Sequence, residues 1–134
     1  MLNVGFYNPK TAKVIRQETR EGYRITIEGS TVCVCKALVD TGATNSCITK
    51  HIADHIKVFP DGEKTVGGAN GAYQTKTYSV AMFIQEIGLL IDEMDVFEVK
   101  LEENSSEYQA LLGMDILSRG HFQLDFSGNF VFCV

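Results

Sequence analysis

The chain has 134 residues, of which 45% are hydrophobic and 10% aromatic, so one ordinary domain with a substantial core is within its reach. Its 17 Asp and Glu outnumber its 12 Lys and Arg to give a formal net charge of −5, and no basic stripe is visible, which argues against a nucleic-acid partner. No apolar run approaches membrane-spanning length, and Met1-Leu2-Asn3-Val4-Gly5-Phe6 lacks the basic and long apolar parts of a secretory leader, so the expectation is a cytoplasmic protein without a membrane partner.

Residues 1–20 are polar through Lys10, Lys13, Arg16, Gln17, Glu18 and Arg20, with apolar patches only at Val4–Tyr7 and Val14–Ile15. They read as an N-terminal arm, an edge strand or a removable leader, ahead of a single domain over 21–134. Gly22–Glu28 and Thr31–Val39 read as a hairpin across Gly29-Ser30. Thr31–Val39 is β-branched and apolar enough for a buried strand, and it delivers the chain to Asp40-Thr41-Gly42. Gly42 there permits a close backbone approach and a positive φ. Ile48–Ile56 reads as a short helix. Its His51 and His55 lie one turn apart without the Glu of a zinc-protease helix, so they read as a solvated face and no metal is expected.

Beyond the helix, Thr65–Tyr73 and the alternating run Gln74–Ile84 read as a hairpin with a glycine-rich tip, Asn70-Gly71 favouring a two-residue primed turn. Met94–Leu101 reads as a strand and Glu102–Glu107 as an exposed acidic loop. Ala110-Leu111-Leu112 reads as a buried strand stopped by Gly113, with a short helix over Ile116–Arg119. Gln123–Phe126 and Phe130–Val134 read as a closing hairpin whose apolar last strand needs a cover. Cys33, Cys35, Cys47 and Cys133 are expected to be reduced thiols, and Cys33 and Cys35, two apart on one strand, to fill the core from a common face.

Asp40 is the residue that demands a reason, because a carboxylate at the end of a buried strand is costly without partners or a task. The run Leu38-Val39-Asp40-Thr41-Gly42-Ala43-Thr44, the glycine-rich Thr65–Tyr73 and the segment Ala110–Leu117 resemble, in that order, the active-site signature, the flap and the segment before the C-terminal helix of the retropepsin-type aspartic proteases. The resemblance covers about residues 22–134. It implies an all-β acid-protease barrel with a flap hairpin and one or two short helices, and an endopeptidase that needs no cofactor.

Pepsin-like enzymes take two aspartates from two lobes of one chain, whereas this chain has one Asp-Thr-Gly and one domain's length. The second aspartate is therefore expected from another copy, in a symmetric homodimer. Paired carboxylates would share a proton, one activating water and the other donating to the peptide carbonyl. The resemblance further implies that Thr41 locks the two loops together and that Gly42 offers backbone groups to substrate. Ala43, Thr44 and Asn45 would line adjacent subsites, and Gly67, Gly68, Ala69, Asn70 and Gly71 would cover an extended peptide.

Two departures from the viral pattern stand out. Thr44 and Met114 occupy positions where viral enzymes usually carry an acid and an Arg, so the dimer must be braced differently. Gly113-Met114-Asp115 is closer to bacterial and cellular members, and Asp115 is expected to cap or brace the short helix rather than take part in chemistry. Two other readings remain open: a non-catalytic peptide-binding or dimerisation module of the same fold, and a protease acting only on its own precursor.

Overall fold

Short runs of β-branched and apolar residues make the strand the dominant element, and six strands close into a ring. The computed structural model describes residues 1–68, 71–101, 107–124 and 130–133. In chain order the elements are β1 (Leu2–Tyr7), β2 (Lys13–Thr19), β3 (Gly22–Glu28), β4 (Cys33–Val39), β5 (Cys47–Ile48), α1 (Lys50–Ile56), β6 (Gly62–Gly68) and β7 (Gly71–Ile84). There follow β8 (Leu89–Glu98), β9 (Ala110–Leu112), α2 (Met114–Leu117), β10 (His121–Leu124) and β11 (Phe130–Cys133).

The ring runs β1-β4-β9-β5-β8-β7 and back to β1, through Gly5↔Phe83 and its neighbours. Closure leaves none of these strands a fully free edge. Val4, Phe6, Ala37, Ile48, Val80, Met82, Ile84, Val96, Ala110 and Leu112 make its core, joined by Ile52, Ala53 and Ile56 from α1. Gly5 leaves room for the Phe83 ring lying across it, which a Cβ there would push aside. Cys33 and Cys35 pack against this cluster from one face of β4, as their spacing implied.

Several elements differ from the sequence reading. β1 lies inside the segment read as an arm, an edge strand or a removable leader; it is a strand, but an inner one, paired on both sides within the ring and burying Val4, Phe6 and Tyr7. β3 pairs with β2 and not with β4, so the hairpin turns at Arg20-Glu21 and not at Gly29-Ser30. Gly22 takes φ +124 directly after that turn, while Gly29, at φ +79, carries the chain past the Thr11 carbonyl towards the ring.

α1 starts at Lys50 because Cys47 and Ile48 are claimed by β9 and β8, and Thr49 caps the helix by accepting from the Ile52 N–H at 3.4 Å. α2 begins at Met114, two residues before the expected start, and β8 starts and ends earlier than Met94–Leu101. β10 and β11 pair antiparallel, Phe122↔Phe132, so the expected closing hairpin forms, but its first strand starts at His121 and not at Gln123, and residues 125–129 and 134 of the expected hairpin lie outside those described. Most of the expected acidic loop, 102–106, lies outside the described residues. Among the described residues no helix is long and apolar enough to cross a membrane.

Candidate active site

The site grows out of the β4–β9 ladder. Ala37, Leu38 and Val39 run parallel to Ala110, Leu111 and Leu112, and the pairing ends one residue later, where the Asp40 N–H donates to the Leu112 carbonyl at 2.9 Å. The chain then turns. The Ala43 N–H donates to the Asp40 carbonyl at 3.2 Å, and the Gly42 N–H donates to Asp40 Oδ1 at 3.0 Å. One carboxylate oxygen is thus tied to the backbone, and the side chain stays half-buried at the end of an apolar strand. Thr41, Gly42 and Thr44 are exposed beside it, and Ala43 and Asn45 are half-buried.

Gly42 does not adopt the positive φ that its place in the motif suggested. A Cβ there would stand 3.4 Å from Asp40 Oδ1, an ordinary contact. The glycine that sterics require is Gly113. A Cβ on it would lie 2.8 Å from the Ala43 carbonyl oxygen and 2.8 Å from the Asn45 carbonyl carbon, both backbone atoms that cannot swing aside. This close approach lets the Met114 N–H donate to the Ala43 carbonyl at 2.8 Å and the Asp115 N–H to the Thr44 carbonyl at 3.2 Å. The loop after Asp40 is therefore laid down on the start of α2.

Asp115 sits where the sequence reading put it, as a brace. Oδ1 accepts from the Ile116 N–H at 2.9 Å, inside the first turn of α2. What the sequence reading missed is Ser46, which is 1% exposed and contacts the Asp115 carboxylate. A small hydroxyl between Asn45 and Cys47 gives no periodicity signal, and its partner is 69 positions away. Cys47, next along, has its thiol pushed up to about 11 by burial first and then by the negative charges of Asp115 and Asp40. It stays a neutral thiol, donating to the Asn45 carbonyl at 3.6 Å.

The glycine-rich residues lie on a separate element. β6 and β7 pair from Gly62↔Thr77 to Gly68↔Gly71, so only residues 69 and 70 separate the strands. The turn expected at Asn70-Gly71 falls partly on residues 69 and 70, which lie outside those described. Gly71, at φ +104, opens the return strand. The base of the hairpin is pinned by Thr77, which donates to Asp61 Oδ1 at 2.8 Å and accepts the Asp61 N–H at its carbonyl at 2.9 Å. Beyond the base, among the described residues, Val66 and Thr75 are half-buried and Glu63, Lys64, Thr65, Gly67, Tyr73 and Gln74 are exposed. Among the described residues no hydrogen bond joins this hairpin to the Asp40 loop.

His51 and His55 are both exposed on α1, ring centroids 6.3 Å apart, beside a 3.7 Å ion pair of Lys50 with Asp54. Among the described residues no group of three or more His, Cys, Asp or Glu is placed to hold a metal.

A half-buried carboxylate at a turn, with one oxygen held by a backbone N–H and the loop anchored from behind, is built to keep an acid or base in a fixed place. Solved structures similar to this chain include two proteases. A retropepsin-like aspartic protease from Rickettsia conorii matches at 17% identity and TM-score 0.48, over 97% of this chain and 86% of that one. The EIAV protease complexed with the inhibitor HBY-793 matches at 19% identity and TM-score 0.42, over 84% of this chain and 91% of that one. No curated protein matches. The model of one family, described as "gag-polyprotein putative aspartyl protease", matches residues 23–119, which take in the Asp40 loop, the β6–β7 hairpin and α2, and the chain belongs to that aspartyl protease family.

Proposed function

We propose that this protease works as a homodimer in which Asp40 of each subunit meets its twin on a two-fold axis, cleaving peptide bonds in extended substrates. The observation that carries the reading is the Asp40 loop itself: each chain contains one Asp-Thr-Gly and so holds one such carboxylate, half-buried and fixed at 3.0 Å by the Gly42 N–H. Two carboxylates at close range cannot both ionise cheaply, so the pair shares a proton. The ionised Asp40 takes a proton from water as its oxygen attacks the peptide carbonyl carbon, and the partner's Asp40 donates its proton to the carbonyl oxygen. Collapse of the tetrahedral intermediate breaks the C–N bond, the amine leaving with a proton and the pair returning to its shared-proton state.

In this reading Thr41, exposed at the loop tip, locks the two loops together, and Gly42 offers backbone groups to substrate. Ala43, Thr44 and Asn45 line the adjacent subsites. The β6–β7 hairpin, residues 67–71 at its tip, lies over an extended peptide that pairs with it as a strand.

The test is digestion of a proteome-derived peptide library by the wild-type protein and by Asp40→Asn, read by mass spectrometry. Cleavage by the wild type and none by the variant supports the reading. Equal cleavage by both removes Asp40 from the chemistry. Peptide binding without cleavage would favour a non-catalytic binding module, and cleavage confined to the protein's own N-terminal region would favour self-processing.

A further inference from the structure

Ser46 combines two properties that a loop residue seldom combines: its hydroxyl is buried, and both its donor and its acceptor capacity are used. The hydroxyl donates to Asp115 Oδ1 at 2.7 Å and accepts the Gly113 N–H at 3.0 Å. Its own N–H donates to Asp115 Oδ2 at 2.9 Å. The carboxylate of Asp115 therefore grips Ser46 with both oxygens, while Ser46 grips the backbone of the segment that carries Asp115. This closed clamp joins two segments far apart in sequence, and it stands three residues beyond the turn that fixes Asp40 Oδ1.

From this geometry we infer that Ser46 and Asp115 are positioning residues, which set where the Asp40 carboxylate points without touching it. The path is short and made of backbone. The clamp fixes residue 46 against Gly113. Gly113 in turn presses on Ala43 and Asn45, with 2.8 Å to the place of its missing Cβ. The Ala43 carbonyl is held by the Met114 N–H at 2.8 Å, the Ala43 N–H by the Asp40 carbonyl at 3.2 Å, and the next N–H back, that of Gly42, holds the carboxylate. Releasing the clamp frees the loop at its far end, and the Gly42 N–H can then drift from Oδ1. A displacement of about 1 Å at a reacting group can lower a rate by as much as a hundredfold.

A different hydroxyl can do the same work. Ser46→Thr keeps the donor and the acceptor, whereas Ser46→Ala leaves the Gly113 N–H unmatched inside the protein and takes one of its two donors from Asp115 Oδ1, which keeps only the Ile116 N–H. The inference rests on Asp40 acting as proposed for its kinetic readout, and on nothing but the clamp for its structural one.

The experiment measures two things on wild type, Ser46→Ala and Ser46→Thr: kcat and KM on a cleaved peptide, and protection of the Gly42 and Ala43 amides by NMR hydrogen exchange. For a positioning role, Ser46→Ala should lower kcat about tenfold or more with KM within about twofold, and Gly42 protection should fall while the β4 and β9 amides keep theirs. Ser46→Thr should restore both. Folded Ser46→Ala with wild-type kcat or unchanged Gly42 protection overturns the inference, as does loss of protection spread evenly over the ring, which marks general loosening. If Ser46→Ala does not fold, Ser46→Thr with wild-type Gly42 protection beside Ser46→Cys with reduced protection supports the role, and equal protection in those two overturns it. A wild-type protein that cleaves nothing counts against the protease reading alone, since the exchange readout needs no substrate.

Discussion

At the scale of single residues, the difference between Asp40 and the cysteines is one of burial and partners. Asp40 lies at the edge of the core with a backbone donor aimed at it, so Asp40→Asn keeps side-chain shape and the place of the accepting oxygen while removing the ionisable group. It should lower peptide cleavage by roughly a hundredfold to ten-thousandfold, the contribution of a positioned acid or base, and leave the melting temperature within a few degrees. Kinetics and calorimetry on the same preparation check both halves. The thiols behave in the opposite sense. Burial pushes Cys35 up from 9.0 to about 12, with Cys33 adding to it, and Cys47 up from 9.0 to about 11. Below pH 9 both folded and unfolded chains hold these protons. Above it the unfolded chain releases them and the folded chain does not, so stability present below pH 9 falls as pH rises towards 11 and 12. Urea midpoints measured from pH 8 to pH 11 should decline. The decline should be shallower in Cys35→Ala compared with its own value at pH 8, and an equal slope in both proteins would show that other groups carry it.

At the scale of elements, the contacts that shape the site are backbone against backbone. Gly113→Ala puts a methyl 2.8 Å from the Ala43 oxygen and the Asn45 carbon, and neither can move without the Asp40 loop moving too. The substitution should cost about 1–3 kcal/mol, as overpacking does, and lower cleavage together with the melting temperature. Gly67→Ala meets nothing within 4 Å and should leave stability nearly unchanged, so the pair of melting curves separates crowding from loss of glycine in general. The same contrast explains what could be read from the sequence. The order of strand, Asp-Thr-Gly turn, glycine-rich hairpin and Leu-Leu-Gly segment was legible because each leaves a local signal of apolar run, turn residue or stop. β1 was not legible as a ring strand. Its polar surroundings hide Val4, Phe6 and Tyr7, which are buried because β4 and β7 flank them on both sides. The β2–β3 pairing was misread because Gly29-Ser30 looks like a turn as much as Arg20-Glu21 does. Gly29 does need its positive φ, but to return the chain to the ring. Ser46 could not be read at all, since the clamp exists only once β5 and α2 have been brought together.

At the scale of the whole molecule, the proposed chemistry demands a second copy, and concentration is the variable that exposes it. In that proposal each chain brings one Asp40, so a monomer would hold half of the acid–base pair and activity would belong to the dimer alone. On dilution below the dimer dissociation constant, activity per subunit should fall in step with the dimer fraction seen by sedimentation velocity. Mixing gives a sharper reading. Asp40→Asn subunits retain the surfaces for pairing, so an equimolar mixture that exchanges freely holds about one quarter wild-type pairs, and activity per wild-type subunit should drop to about half. If the variant merely fails to pair, the mixture keeps full activity per wild-type subunit, and sedimentation of the variant alone shows that failure directly. An active monomer behaves otherwise in both experiments, since neither dilution nor added variant changes its rate. Undiminished activity at nanomolar concentration from a species that sediments as a monomer would refute the shared site. It would require a second carboxylate from within one chain, and Asp115 cannot easily serve, because its carboxylate is already bound by the two Ser46 donors and the Ile116 N–H.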